Sequence, residues 1–105
     1  MTDMYVVLLH YTAPENQVDE ALPEHSEWVS RHYDAGDFIV AGRRQDHDGA
    51  VIIARAMSRG QLDAILATDP FATRSLVRHE VIEFAARRAI PELVQHTDPV
   101  SSPSE

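Results

Sequence analysis

Apolar side chains occupy both faces of the first extended segment of the chain. Residues 4–11 read MYVVLLHY and are followed by Thr-Ala-Pro. One alternating set contains Tyr5, Val7 and Leu9, and the other contains Met4, Val6 and Leu8. β-Branched and aromatic residues favour a strand, and the proline-containing segment favours a turn after it. Apolar side chains on both faces of a strand are usually buried on both faces. The pattern therefore predicts one layer of structure above the sheet and another below it.

A helical spacing of apolar residues follows over residues 15–36. One arc of this helix contains Val18, Leu22, His25, Val29, His32 and Tyr33, with Trp28 at its edge. Proline is unfavourable inside a helix, so we expect Pro23 to divide the region into a short helix over 15–22 and a longer one over 23–35. Gly36 is a typical residue just beyond a helix C-terminus and is expected to end the second helix.

The rest of the chain predicts a hairpin, a second helix and a last strand. These elements span residues 37–44, 50–57, 58–67 and 77–87 in that order. Gly49 closes the polar turn of the hairpin, and Ser58 is a preferred N-terminal cap for the helix. Pro70 disfavours helical backbone at Asp69 and therefore ends that helix. We expect a turn through residues 72–76 before the last strand.

The predicted order βαββαβ is typical of one fold class. It indicates an α+β, ferredoxin-like domain with a four-stranded antiparallel sheet and both helices on one face. We expect a single domain over residues 1–90 and a tail over 91–105, rich in proline and serine and disordered at its end. The helices leave the other sheet face open. A second copy of the sheet is the simplest cover, so we predict a homodimer that closes a barrel-like interior.

Composition narrows the possible chemistry. The 105 residues include no cysteine, and all nine basic residues are arginines, so the chain has no lysine. Thiolate nucleophiles, Schiff-base lysines, P-loop nucleotide sites and cysteine metal sites are thereby excluded. The formal net charge of -8 disfavours nucleic-acid and anionic-membrane partners. With no membrane-length apolar run and an acidic N-terminus, we expect a soluble cytoplasmic protein without nucleic-acid or membrane partners.

Two residues are candidates for acid–base chemistry. His25 lies on the apolar arc of the helix, where an imidazole can act as a general acid or base. It can equally be a core-edge histidine bonded to a carbonyl, and the pattern alone favours that interpretation. Asp69 can orient an imidazole, or it can simply form the turn before Pro70. Asp37 is a competing partner for the imidazole. No helix carries two ligands at metal-binding spacing, so we expect neither a metal nor a cofactor.

Four segments together resemble the YCII-related (YciI-like) family. They are Met4-Tyr5-Val6-Val7, Leu22-Pro23-Glu24-His25, Phe38-Ile39-Val40-Ala41-Gly42 and Asp69-Pro70-Phe71. The resemblance covers about residues 4–88 and implies the dimeric α+β barrel fold. It also implies that His25 and Asp69 are an active-site dyad, as these positions are regarded in the family. Members often have Gly-Pro where this chain has Gly42-Arg43, so Arg43 is a candidate specificity residue.

The resemblance also implies a range of chemistry. One relative resembles a dehydrochlorinase of chlorinated hydroxyquinols, and the wider fold includes muconolactone isomerases and monooxygenases. We therefore expect a metal-free isomerase or lyase that acts on a small aromatic or lactone-like molecule, with His25 oriented by Asp69. Arg43, which could clamp a carboxylate or phenolate, is expected to bind the substrate with Trp28, Phe71 and Asp37. The alternatives are a dimeric module that binds a small ligand without catalysis, and a monooxygenase.

Overall fold

A computed structural model describes residues 3–97 of the chain. The elements are β1 (Met4–Tyr11), α1 (Glu15–Asp34), β2 (Phe38–Arg43), β3 (Gly49–Ala54), α2 (Arg59–Leu66), α3 (Pro70–Thr73) and β4 (Val77–Phe84), then a 3-10 helix (Pro91–His96). The predicted order of long elements is confirmed. The short helix α3 stands between α2 and β4, where we expected an irregular turn.

The four strands form one antiparallel sheet in the order β2-β3-β1-β4. Since β3 lies between β1 and β2, the crossover through α1 places two sequential strands apart, which is the ferredoxin-like topology. The helices cover the sheet face that carries Tyr5, Val7 and Leu9, each with an exposed fraction of 1% or less. The predicted α+β, ferredoxin-like fold is therefore confirmed.

The second face of the sheet is also apolar, but within residues 3–97 no helix covers it. Val40, Ile82 and Phe84 have exposed fractions of 55%, 46% and 39%. Val6 and Leu8 of β1 lie between them and are half-buried. The first pattern in the chain, a strand that is apolar on both sides, thus corresponds to one covered face and one open face.

The predicted division of the first helix at Pro23 is wrong. Helix α1 runs without interruption from Glu15 to Asp34, with Pro23 inside it. Proline removes one backbone hydrogen bond and costs about 3 kcal/mol inside a helix. Here Pro23 lies on the exposed side, while Val18 before it and Trp28 after it are buried on the same core. Packing on both sides of the proline therefore holds the two halves in one helix. Gly36, at a φ of 83°, follows its end.

The buried stripe of α1 is displaced from the predicted arc. Its buried residues are Val18, Ala21, His25 and Trp28. Tyr33, which we placed on the arc, is 61% exposed. Leu22 and Val29 are half-buried at the side of the stripe. The arc predicted from the apolar spacing therefore includes one edge of the helix that borders an opening rather than the core.

The last strand is shorter than the predicted span of residues 77–87. Strand β4 stops at Phe84, and Pro91–His96 form a 3-10 helix in the predicted tail. The carbonyl oxygen of His96 accepts a hydrogen bond from the Ala56 amide at 2.8 Å, which attaches this helix to the segment after β3. The predicted disordered end of the tail lies outside the described residues. Among residues 3–97, no helix is both long and apolar enough to cross a membrane.

Candidate functional site

His25 and Asp69 form a buried hydrogen-bonded pair. His25 Nδ1 lies 2.7 Å from Asp69 Oδ1. The exposed fraction of Asp69 is 0% and that of His25 is 6%. Because an ionised carboxylate only accepts hydrogen bonds, Nδ1 of His25 carries the proton of this bond. The bond therefore selects the tautomer in which His25 Nε2 is unprotonated and free to accept a proton.

Asp69 is positioned by the start of helix α3. It caps this helix, and its Oδ1 accepts a hydrogen bond from the Phe71 amide at 2.9 Å. Pro70 occupies the first turn, where its missing N–H costs nothing. The turn-forming role and the contact with His25 are thus two functions of one carboxylate, rather than alternatives.

A second histidine binds the other oxygen of this carboxylate. His79 Nε2 lies 3.1 Å from Asp69 Oδ2. Burial by itself would raise the pKa of Asp69, but the hydrogen bonds from His25, His79 and the Phe71 amide hold this pKa below its ordinary value of 3.8. Asp69 is therefore ionised at neutral pH although no solvent reaches it.

Aromatic rings hold the imidazole of His25 in place. The ring stacks on Phe71, with centroids 3.9 Å apart and planes inclined by 9°. Trp28 packs near it with a centroid distance of 5.6 Å. Within residues 3–97, His25 Nε2 has no hydrogen-bond partner, and no buried side-chain nitrogen or oxygen is left without one. Nε2 is therefore not sealed in the core and faces a solvent-reachable space.

His25 lines a pocket between α1 and the edge of the sheet, with a volume of about 190 Å³. Its apolar walls come from Leu22 and Val29 of α1 and from Ala41, Gly42, Ala50, Val51 and Ile52 of β2 and β3. Its polar side chains are His25, Ser26, Tyr11 and Arg43. Small residues at Ala41 and Gly42 leave the pocket open at the sheet edge. A mostly apolar pocket with few polar groups is typical of small-molecule sites.

Arg43 stands at the rim of this pocket. Its guanidinium lies 5.8 Å from the centre of the Tyr11 ring, and 3.7 Å from the exposed carboxylate of Asp19. Burial raises the pKa of Tyr11, while the charge of Arg43 opposes this shift, so Tyr11 keeps its proton at neutral pH. The pocket thus offers a phenol and a loosely paired cation to a bound molecule.

The other predicted substrate-binding residues lie outside the pocket lining. Trp28 is buried and donates a hydrogen bond to Thr68 Oγ1 at 2.9 Å. Phe71 stacks on the imidazole ring of His25. Asp37 is bonded to His32 at 2.9 Å and to Arg55 at 3.1 Å, and not to His25. Among residues 3–97, no group of three or more histidine or carboxylate side chains has a metal-binding arrangement.

The sequence pattern did not single out His79, Tyr11 or Ser26 as functional residues. His79 alternates with Val77 and Val81 on β4. That alternation places it on the same sheet face as these two valines, opposite Leu9 of β1. The period of the strand could therefore have indicated an inward histidine, but nothing local could have indicated its contact with Asp69.

The fold and the pocket together define a small ferredoxin-like α+β domain that presents a histidine–aspartate pair at an open cavity. The chain matches the family profile of the YCII-related domain over residues 4–85, and it belongs to that family. The resemblance seen in the sequence is thus confirmed. No match was found among curated proteins.

Two solved structures are similar to this chain. The chain is similar to 5-chloro-2-hydroxyhydroquinone dehydrochlorinase from Burkholderia phenoliruptrix AC1100, in complex with 2,5-dihydroxybenzoquinone, with TM-score 0.61 and 16% identity over 76% of this chain and 92% of that one. It also matches SnoaB, a cofactor-independent oxygenase from Streptomyces nogalater, with TM-score 0.47 and 19% identity over 87% of this chain and 99% of that one. At these identities the similarity to the dehydrochlorinase establishes the fold alone.

Proposed function

We propose that this protein is a small-molecule enzyme in which His25 is the general base and acid and Asp69 orients it. The observation that carries the proposal is the 2.7 Å bond between His25 Nδ1 and the fully buried Asp69, which leaves Nε2 unprotonated beside the pocket. A carboxylate in this place fixes the tautomer and stabilises the imidazolium that forms during proton transfer. No metal or cofactor is required for such a step.

The chemistry that this arrangement supports is proton transfer next to a carbonyl or phenol. His25 Nε2 takes a proton from the substrate, and the electron pair moves toward the carbonyl oxygen. In an isomerisation, the imidazolium returns the proton at another carbon. In an elimination, a leaving group departs with the electron pair and the imidazolium later releases its proton. Tyr11 and Arg43 line the same pocket and can stabilise the oxygen that gains negative charge.

The substrate class follows from the pocket. Its volume of about 190 Å³ and its aliphatic walls fit a small aromatic or lactone-like molecule. The protein carries a net charge of -8, so a negatively charged substrate needs a local cation. Arg43 supplies that cation. We therefore propose a substrate with one carboxylate or phenolate oxygen at the rim and its reacting atom near His25.

An Arg43→Gln variant tests this placement. We expect the KM for an anionic substrate to rise about ten- to a hundredfold, since a hydrogen bond to a charged group is lost. Arg44→Gln is the matched control, because Arg44 pairs with Asp46 in the adjacent turn and does not line the pocket. Steady-state kinetics measure both. Equal effects of the two substitutions would contradict the assignment of Arg43.

Product analysis tests the proposed activity itself. The protein is incubated with a panel of hydroxyquinols, chlorinated hydroxyquinols and enol lactones, and the products are identified by mass spectrometry and NMR. Incorporation of deuterium from solvent or release of chloride is expected for at least one compound. Saturable binding of a panel compound with no chemical change would overturn the proposed enzymatic activity and favour a module that binds a small ligand without catalysis. Oxygen consumption would indicate a monooxygenase instead.

We also propose that the protein is a homodimer in which the open sheet faces pack together. The support is the apolar surface around Val40, Ile82 and Phe84, each at least 39% exposed in the single chain. Contiguous apolar surfaces of this kind are typical of protein interfaces. The pocket lies beside β2 and β3 at the edge of this sheet.

The cytoplasmic location of the protein stays a prediction.

Charge on the sheet face is expected to separate the subunits. Light scattering after size exclusion should give the mass of a dimer for the wild type and of a monomer for Ile82→Glu, because the glutamate would be buried unpaired. Tyr33→Glu is the control, since Tyr33 is exposed on α1 and not on the sheet. A monomeric wild-type protein, or dimers for both variants, would contradict this interface.

A further inference from the structure

His79 is a half-buried polar residue that the proposed chemistry does not use. It lies on β4 opposite Leu9 of β1, and 16% of its side chain is exposed. It does not line the pocket that His25 borders. Its one described side-chain hydrogen bond is the 3.1 Å contact from Nε2 to Asp69 Oδ2. Any effect of His79 on the pocket is therefore transmitted through its hydrogen bond to Asp69.

The carboxylate of Asp69 depends on this contact. Its Oδ1 has two donors, His25 Nδ1 and the Phe71 amide, whereas its Oδ2 has only His79 among the described residues. Asp69 is fully buried, so water does not replace a lost donor. A buried carboxylate oxygen without a partner is unfavourable. If His79 could not donate, the carboxylate would turn to share its remaining donors, and the bond to His25 would loosen.

We propose that His79 is a positioning residue of the active site, which fixes the Asp69 carboxylate so that Oδ1 stays in line with His25 Nδ1. The proposal rests on the proposed function, because this orientation affects turnover only if His25 acts as the base. It adds a third residue to the His25–Asp69 pair. The backbone of α3 holds one oxygen of the carboxylate, and the strand β4 holds the other, so that two separate elements determine its angle.

Two substitutions at this position separate positioning from packing. His79→Leu removes the donor and keeps an apolar side chain of similar size. His79→Gln keeps a side-chain N–H that can donate to Oδ2. In His79→Leu we expect the pKa of Asp69, followed by the ¹³C resonance of its carboxyl group, to rise by roughly half a pH unit or more. In His79→Gln we expect this pKa to stay near the wild-type value.

The readout at His25 distinguishes a positioning role from a structural one. In ¹⁵N–¹H spectra of the wild type, we expect His25 to be protonated at Nδ1 and His79 at Nε2. In His79→Leu, the His25 Nδ1–H resonance should move upfield and exchange faster with water, and His79→Gln should restore it. A merely structural role would lower the melting temperature without changing this resonance.

The possible failures are distinguishable. An unchanged His25 Nδ1–H resonance in His79→Leu, or one that moves further downfield, would overturn the positioning role of His79 and leave the His25–Asp69 pair intact. A His25 ring protonated at Nε2 instead of Nδ1 in the wild type would overturn the proposed function. Loss of the Nδ1–H resonance in both His79 variants would also overturn the proposal, since the donor of glutamine would then have no effect.

Discussion

A His25→Asn variant is expected to lose about 10²- to 10⁴-fold in kcat, the usual contribution of a general acid or base. The asparagine amide can occupy the place of Nδ1 and donate to Asp69, but it has nothing in the place of Nε2. Turnover should therefore fall while the buried carboxylate keeps a donor. Steady-state kinetics on the compound identified by product analysis measure the loss, and the melting temperature measures the fold.

The free energy of unfolding shows whether a loss of activity in His25→Asn comes from a loss of folded structure. We expect His25→Asn to lower the free energy of unfolding by about 1–2 kcal/mol, because the stacking on Phe71 is lost. His25→Ala should cost more, since it also removes the hydrogen bond to Asp69 and leaves a cavity beside the ring of Phe71. Ser30→Ala is a control on the exposed side of α1 that lies outside the pocket and leaves both contacts intact. Full activity in His25→Asn would exclude His25 as the base.

Removal of the Asp69 carboxylate is expected to have the largest effect on stability. Asp69→Ala deletes the cap of α3 and leaves the buried imidazole of His25 and the half-buried imidazole of His79 without their acceptor. Hydrogen bonds to a charged group contribute about 1.5–3 kcal/mol each and a helix cap about 1 kcal/mol, so we expect a total loss of about 3–5 kcal/mol. Chemical denaturation at neutral pH measures this loss. Asp63→Asn is the control, because Asp63 forms an exposed pair with Arg59, and such pairs contribute about 1 kcal/mol or less.

The contribution of Asp69 is expected to depend on pH in a defined direction. Its pKa is lower in the folded protein than its ordinary value of 3.8. The ionised carboxylate therefore stabilises the folded state fully above that ordinary value, and this stabilisation is lost as the pH falls through the lower, folded-state pKa. The difference in unfolding free energy between the wild type and Asp69→Asn should thus be large near neutral pH and shrink below pH 3.8. A difference that grows toward acid would contradict an ionised Asp69.

The candidate site was only partly predictable from the sequence. His25 and Asp69 were selected because one lies on an apolar helix arc and the other precedes a proline, and the family resemblance linked them. The partner of each could not be derived from local patterns. Asp37 and Asp69 were both available to His25, and the structure pairs Asp37 with His32 instead. His79 was missed because its contact with Asp69 joins a strand to a helix cap.

The fold shows the same division between local and distant information. Strand and helix patterns are local, and they predicted the order of long elements correctly. The break expected at Pro23 followed from a local rule, which does not take into account how the helix packs on the core. The buried residues on both sides of that proline pack on one sheet, and this packing outweighs the missing hydrogen bond.

Residue types and short-range spacing were enough to predict the βαββαβ order and the family, and they establish the acidic charge and the absence of cysteine and lysine. Each of these is a property of residue type or short-range spacing. The packing of separate elements brings a histidine and an aspartate that are 44 positions apart within a 2.7 Å hydrogen bond. The same packing places a second histidine 3.1 Å from the other carboxylate oxygen and leaves a pocket at Ala41 and Gly42. These contacts arise where α1, α3 and β4 meet, and no pattern within one element specifies the distance to another.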